Sequence, residues 1–411
     1  MNRLIVLLLL FVSSLHMPVS ARTYARRNAA VQYDSVQISL LTCGPGNQIY
    51  SLFGHTAIRV QDKVRHLDWV YNYGIFDFFK PNFISRFLLG ATDYELGVFD
   101  YPDFLYPYVS GNRWVFEQHL NLKTAEKIRL LQALNINYRP ENRVYRYNFF
   151  YDNCATRPRI KLEEAMSGKI HYADSVKEAF AQHTYRDIVY ECSENHPWAR
   201  FGMNFCLGLP ADKPIDYLQI MFAPIYLKDA FHTATIVGNH GEREALVSSE
   251  RVALHVKDMD KGTDWLLVFS PMVCFSLLFL LVLALSLYQW KSGRSLWWLD
   301  MLLFTAAGIC GSLIAFLACF SEHPAVSPNF LLFVFHPIHL FVVPFLVFTT
   351  RKRKKPVYHL INLAVLTLFI ALFGLIPQRF DFAVVPLALC LLVRSLMNVL
   401  CFYKKRYTIT K

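Results

Sequence analysis

Gly54-His55-Thr56-Ala57-Ile58-Arg59-Val60 reads as a β-strand from its β-branched residues, and it sets an imidazole at the strand's start. Before it lie an apolar strand, Val36 to Leu41, the loop Thr42-Cys43-Gly44-Pro45-Gly46, and a short helical turn from Asn47 to Phe53. After it, Gln61-Asp62-Lys63-Val64 is polar enough to turn, and Arg65 to Asn72 returns as the partner strand. With Asp62-Lys63 as a two-residue loop, His55 lies opposite Val70. Asp68 and Asn72 then flank the ring diagonally on the same face. A one-residue change in that loop would reverse the faces.

A second informative stretch is Tyr151-Asp152-Asn153-Cys154-Ala155-Thr156-Arg157-Pro158. The alternating run Val144 to Phe150 precedes it as a strand, and the helix-prone Arg159–Met166 follows, stopped by Gly168. Asp152 or Asn153 serves as N-cap, which leaves Cys154 in the first turn. Unpaired backbone N–H groups and the positive helix end there favour a thiolate and can hold an oxyanion. Pro158 sits too deep for one undisturbed helix from Asn153, so a kink or a restart is expected. A thiol, an imidazole and a third polar group behind the ring form the minimal apparatus for acyl transfer. The bland alternative is a buried structural Cys154 and a core or surface His55.

The chain has 411 residues, 54% of them hydrophobic and 18% charged, with a mean hydropathy of +0.26. That balance excludes a disordered polar chain and points to membrane segments. The formal charge is +11, but residues 265–411 hold thirteen of the 42 Lys/Arg and only three acids, Asp300, Glu322 and Asp381. The basicity therefore belongs to loops between apolar runs, and nucleic acid is not an expected partner.

Arg3 and the apolar run Leu4 to Val12 precede Val19-Ser20-Ala21, a small-residue cleavage pattern. Residues 1–21 read as a cleavable signal peptide, 22–264 as an exported catalytic domain, and 265–411 as a transmembrane domain. Five apolar runs follow Asp264: Leu266–Tyr288, Leu296–Phe320, Phe330–Thr349, Val357–Ile376 and Phe382–Tyr403. Alternate loops carry Lys291 and Arg294, Arg351 to Lys355, and Lys404 to Arg406, as the positive-inside rule requires of cytoplasmic segments. Four cysteines lie outside the apolar runs. The compartment permits a disulfide, and Cys192 with Cys206 is the better candidate pair by elimination. No CxxC or HExxH spacing calls for a metal, and no cofactor is expected.

The blocks Leu41 to Gly46 with Phe53-Gly54-His55-Thr56-Ala57, then Tyr71-Asn72-Tyr73-Gly74-Ile75-Phe76-Asp77, then Tyr147 to Pro158, resemble one family. It is that of the Bacteroides-type lipoprotein N-acyltransferase, Lnb. Its N-terminal domain is similar to permuted papain-like enzymes of the NlpC type, the group that includes lecithin:retinol acyltransferase. The later blocks Phe205 to Lys213 and Met221-Phe222-Ala223-Pro224 resemble it more loosely. The resemblance implies an α+β permuted papain-like periplasmic domain followed by an all-α five-helix transmembrane bundle in the bacterial inner membrane. It implies N-acylation of the lipid-modified N-terminal cysteine of diacylated lipoproteins, with a membrane phospholipid as acyl donor. Cys154 would be the nucleophile and His55 its base. Asp68 would orient the ring, preferred to Asn72 on spacing. The Cys154 backbone N–H and a neighbour would hold the oxyanion, with Asn153 as cap or side-chain donor. A thiol hydrolase or a non-catalytic scaffold would keep the same fold.

Four further features carry expectations. Cys43 precedes a Gly-Pro-Gly loop and is given a packing or loop role. The aromatic segment 76–108, with a helix bracketed by Pro81 and Gly90, is first read as core; the alternatives are an acyl-chain groove or a lip in the outer leaflet. His336 and His339 share a face of the third run and are expected to hydrogen-bond within the bundle. Arg394, inside the fifth run, would snorkel or pair with a helix backbone.

Overall fold

The computed structural model describes residues 33–181, 183–238, 241–256, 268–352 and 354–409, with side chains only to residue 404. The leader reading of residues 1–21 lies outside the described residues. Seven strands form one antiparallel sheet: β1 (Val36–Cys43), β2 (His55–Asp62), β3 (Leu67–Ile75), β4 (Asp93–Asp100), β5 (Val115–Leu120), β6 (Val144–Arg146) and β10 (Val247–Leu254). Their spatial order is β10-β5-β1-β2-β3-β4-β6. The short strands β7 (Lys169–His171), β8 (Thr235–Val237) and β9 (Arg243–Ala245) make a second sheet.

Strands β1 and β2 are buried along almost their whole length, because both faces of the sheet are covered there. Leu41, Cys43, Ala57, Val70 and Val115 pack on one face against Phe104 and Tyr108 of the helix Tyr101–Ser110. In the β1–β2 ladder Cys43 pairs with His55, and in the β2–β3 ladder Arg59 pairs with Val70 and Gln61 with Asp68.

The register differs from the sequence expectation by four residues. The hairpin turns over Lys63 to His66 rather than over two residues, since Asp62 stays paired with Leu67. Asp62 Oδ1 accepts from the N–H groups of Val64 and Arg65, and His66 takes a positive φ, so local hydrogen bonds fix the longer turn. The even shift preserves the faces and moves Asp68 down the strand.

Among the described residues five apolar helices follow: Pro271–Ser292, Trp297–Phe320, Ile338–Lys352 with a preceding 3-10 turn, Val357–Ala371 and Val384–Ile409. Four are long and apolar enough to cross a bilayer. The fourth run departs from expectation. Its 15-residue helix rises about 22 Å, short of a hydrocarbon core of about 30 Å. It ends in turns before Gly374 and Pro377, both of which break helices.

Arg394 neither snorkels nor relies on backbone. Its guanidinium donates to both Asp300 oxygens (2.7 and 3.1 Å), to Ser286 Oγ and to Gln289 Oε1. Asn398 Nδ2 adds a bond to Asp300. His339 Nε2 donates to the Val334 carbonyl, and Nδ1 accepts from the Tyr358 hydroxyl at 2.7 Å. The His336 and His339 rings stack with centroids 3.8 Å apart.

The sheet domain is sewn onto the bundle by backbone and amide bonds. Gly208 N–H donates to Ala325 O at 2.7 Å and Leu209 N–H to Pro328 O at 2.8 Å. Asn329 Nδ2 donates to Phe205 O, and Gln378 Nε2 to Leu207 O. Arg186, fully buried, holds the same turn by donating to Asp212 and to the carbonyls of Leu207 and Gly208. Cys192 and Cys206 are free thiols, as are the other seven cysteines. The expected disulfide is not formed; this polar seam fixes the turn after Cys206 instead.

Candidate active site

His55 opens β2. The β2–β3 ladder starts only at Ile58–Tyr71, so this end of β2 is splayed from its neighbour. Beyond Tyr73 the β3 backbone bulges, with Gly74 at φ +95°. A Cβ at Gly74 would lie 3.6 Å from Cys154 Cβ and 3.9 Å from His55 Cε1, so the bulge brings bare backbone up to both residues. Only glycine takes that φ without strain.

His55 Nε2 donates to Asn72 Oδ1 at 2.5 Å. An amide oxygen accepts from one ring nitrogen, which fixes the tautomer and turns the other nitrogen to the sulfur. Burial would push the Cys154 thiol up, but the His55 charge, the His55 hydrogen bond and the backbone N–H groups of Thr56 and Cys154 bring it below the ordinary thiol value. Burial would push His55 down; the Cys154 charge and the bonds to Cys154 and Asn72 raise it above the ordinary imidazole value. Both shifts favour a thiolate–imidazolium pair. Cys154, His55 and Asn72 each keep part of their surface accessible.

Cys154 is held by the residue before it. Asn153 is buried, and its Oδ1 accepts from the N–H groups of Ala155 and Thr156 at 2.8 and 3.0 Å. Its Nδ2 donates to the carbonyls of Phe149 and Phe222, both at 2.9 Å. Both amide hydrogens are therefore committed, and Asn153 positions the turn rather than reaching an oxyanion. The helix begins at Thr156, so Pro158 falls in its first turn, where no N–H is required and no kink follows. Asp152 forms a fork with Arg157, both contacts at 2.6 Å.

Of the residues proposed from the sequence, the structure brings together His55, Asn72 and Cys154. Asp68 is elsewhere. It stands opposite Gln61, roughly 20 Å along the strand from His55 by strand rise. Arg59 forks onto it (Nε–Oδ1 2.7 Å, Nη2–Oδ2 2.6 Å) while also donating to buried Glu117. The four-residue hairpin turn is the physical reason. Cys43 is buried across from His55, and burial pushes its thiol up to about 12, so it packs rather than reacts.

Three groups at the site went unread in the sequence. Thr56 presents its N–H to the sulfur because the strand splays there. Tyr94 and Tyr147 stack at 4.1 Å. Both phenols are raised first by burial and then by the Cys154 charge, Tyr94 to about 12. A strand-end N–H and a ring from a distant strand leave no local sequence signal.

The fold and site define a class: a membrane protein whose α+β domain carries a thiol, an imidazole and an amide in hydrogen-bonded order. Residues 23–191 match the Lnb N-terminal periplasmic domain, and residues 261–406 match the Lnb transmembrane domain. The chain belongs to the Lnb family, with a periplasmic N-terminal domain and a membrane-integral C-terminal one. No curated protein and no solved structure matches the chain.

Proposed function

We propose that the chain N-acylates the lipid-modified N-terminal cysteine of bacterial lipoproteins through a Cys154 thioester, at the outer face of the inner membrane. The observation that carries this reading is a Cys154–His55–Asn72 set, tuned towards thiolate and imidazolium, in a domain sewn to an apolar bundle in an Lnb-family chain. The order strand His, next-strand amide, then Cys before a helix is that of a permuted papain-like enzyme. Residues 22–264 are read as the exported catalytic part and 265–411 as the membrane part.

In the first half-reaction the Cys154 thiolate attacks an ester carbonyl of a membrane phospholipid. The backbone N–H groups of Cys154 and Thr56, already turned to the sulfur, hold the oxyanion. The carbon–oxygen bond breaks, the departing lysophospholipid oxygen takes the His55 proton, and a thioester remains. In the second half-reaction the α-amine of the diacylated lipoprotein attacks that thioester. Neutral His55 takes the amine proton, the carbon–sulfur bond breaks, and the thiolate–imidazolium pair returns. Asn72 keeps the ring oriented throughout. Both substrates reside in the membrane, so docking the thiol on the bundle raises their effective concentration.

Mass spectrometry of N-terminal lipopeptides from cells relying on Cys154→Ala tests the reading. Diacylated N-termini are expected. Full triacylation by that variant rejects the mechanism.

A further inference from the structure

The segment between β3 and β4 is apolar and outward-facing. Phe79 is 95% exposed and Ile84 75% exposed, with Phe78, Phe87 and Leu89 also on the surface. A core role would bury these side chains, so the core reading of 76–108 fails for residues 78–89 and holds for Tyr94, Leu96, Phe104 and Tyr108. An isolated loop with this composition would be a solubility liability. Its placement supplies the reason.

The helix Phe83–Leu88 rests on the connection that follows the second apolar helix. Glu322 N–H donates to Leu89 O at 2.8 Å, and His323 Nε2 donates to Phe87 O at 2.6 Å. Gly90 has φ +71°, and a Cβ there would come within 2.7 Å of His323 N, so the fit of segment to loop needs glycine. The second apolar helix ends at Phe320. Glu322 and His323 therefore stand at the level where a spanning helix leaves the bilayer. The exposed apolar side chains are fixed at that level by hydrogen bonds, and Lys80 lies exposed among them, suited to lipid phosphates.

From this boundary a continuous series of ring contacts runs inward. His323 meets Phe87 at 5.3 Å between centroids, Phe87 meets Phe83 at 6.2 Å, and Phe83 meets Phe76 at 6.1 Å. Phe76 stacks on Tyr94 at 4.8 Å and Tyr94 on Tyr147 at 4.1 Å, and Phe76 lies two residues beyond Gly74, whose Cβ position is 3.6 Å from Cys154 Cβ. An acyl chain following these rings would stay on apolar surface from the leaflet to the sulfur.

We propose that residues 76–89 form a lip inserted into the outer leaflet of the inner membrane, and that the phospholipid acyl chain reaches Cys154 along its aromatic face. This rests on the acyl-transfer reading for the destination of the chain, but insertion of the lip is separable from it. The test replaces Phe79 by p-benzoylphenylalanine in the full chain carrying Cys154→Ala, so that no turnover occurs. The protein is reconstituted in phosphatidylethanolamine/phosphatidylglycerol vesicles containing radiolabelled phosphatidylethanolamine. A control places the same photoprobe at Val64, 74% exposed at the opposite end of the β2–β3 hairpin, roughly 25 Å away by strand rise.

Light-dependent capture of labelled phospholipid at position 79 and not at 64 is the expected result. No capture at 79, or equal capture at both positions, overturns the lip. With Cys154 restored, Phe79→Asp should slow acyl-enzyme formation from vesicle phospholipid about ten-fold, because a carboxylate is costly in the leaflet. A wild-type rate for this exposed position overturns the route, whereas capture at position 79, read in the Cys154→Ala protein, tests the lip whichever way the lipopeptide test falls.

Discussion

Two sets of charged and polar groups lie inside this chain, one in the helical bundle and one at the end of β2. In the bundle, Arg394 spends Nε, Nη1 and Nη2 on Asp300, Ser286 and Gln289, and Asn398 completes Asp300. Neither charge is accessible, and each is surrounded by hydrogen-bonding partners. At the end of β2 the sulfur of Cys154 has one imidazole and two backbone N–H groups, and a surface left accessible. The first set is closed and holds helices together. The second keeps one coordination direction for a substrate. A buried charge is structural when its partners are complete, and chemical when one partner is missing by design of the backbone.

Removing the reactive member should give the largest effect. Cys154→Ala is expected to abolish acyl-enzyme, a loss of about a thousand-fold or more in N-acylation, read by intact mass and by lipopeptide mass spectrometry. His55→Gln should approach the same loss, because the thiol then loses its charge partner. Its remaining reactivity towards a haloacetamide should rise only at higher pH. If Cys154→Ala instead unfolds the domain while acyl transfer by His55→Gln persists, the contrast between a closed and an open set collapses.

Breaking the closed set should cost stability first. Arg394→Met leaves Asp300 buried without its cation, at a cost of about 3–5 kcal/mol. The check is a lowered midpoint of thermal unfolding in detergent. The double variant Arg394→Met/Asp300→Leu should regain most of that loss, since no charge is then stranded. A double variant as unstable as the single one would mean that the cluster does more than neutralise itself.

Asn72→Ala sharpens the open set. Its hydrogen bond is one of the causes that raise His55, so removing it lowers the imidazolium's hold on its proton. His55 carries its charge only below its own pKa, and Cys154 only above its own. Lowering the first weakens the charge that depresses the second, so the window of the reactive pair narrows from both sides. The alkylation rate of Cys154 should show this as an acid limb moved up, and the pH–rate profile of acyl transfer as a basic limb moved down, with activity reduced about 10- to 100-fold. An unmoved profile would make Asn72 a packing residue.

Much of this was legible in the sequence for local reasons. The β-branched run at His55, the Asn153-Cys154 turn and the apolar runs after residue 264 each announce themselves within a dozen residues. What escaped depends on pairing. Arg65 and His66 read as the start of the return strand until Asp62 is seen accepting the N–H groups of Val64 and Arg65, and the longer turn decides between Asp68 and Asn72. Asn153 carries the polar chemistry of an oxyanion donor, but two carbonyls from Phe149 and Phe222 use its hydrogens. Arg394 finds Asp300 across the bundle, a partner 94 residues away in sequence. That Phe79 and Ile84 stay exposed depends on where the segment lies in the folded chain, which composition does not contain.

Asp68 offers the smallest and most discriminating effect. It has the side chain expected of a ring-orienting third residue, and the hairpin turn has carried it to Arg59. Arg59 is buried and also serves Glu117 and the face of Tyr101. Asp68→Asn therefore removes one of two anions from a buried guanidinium while keeping the shape. Because Asp68 is partly exposed, the expected loss is about 1–2 kcal/mol, seen as a lower thermal midpoint. The pH profile of Cys154 alkylation should follow that of the wild type, since no bond to His55 is touched. A shifted profile with an unchanged midpoint would return Asp68 to the ring and require a two-residue turn, and with it a different register for the whole β2–β3 pair.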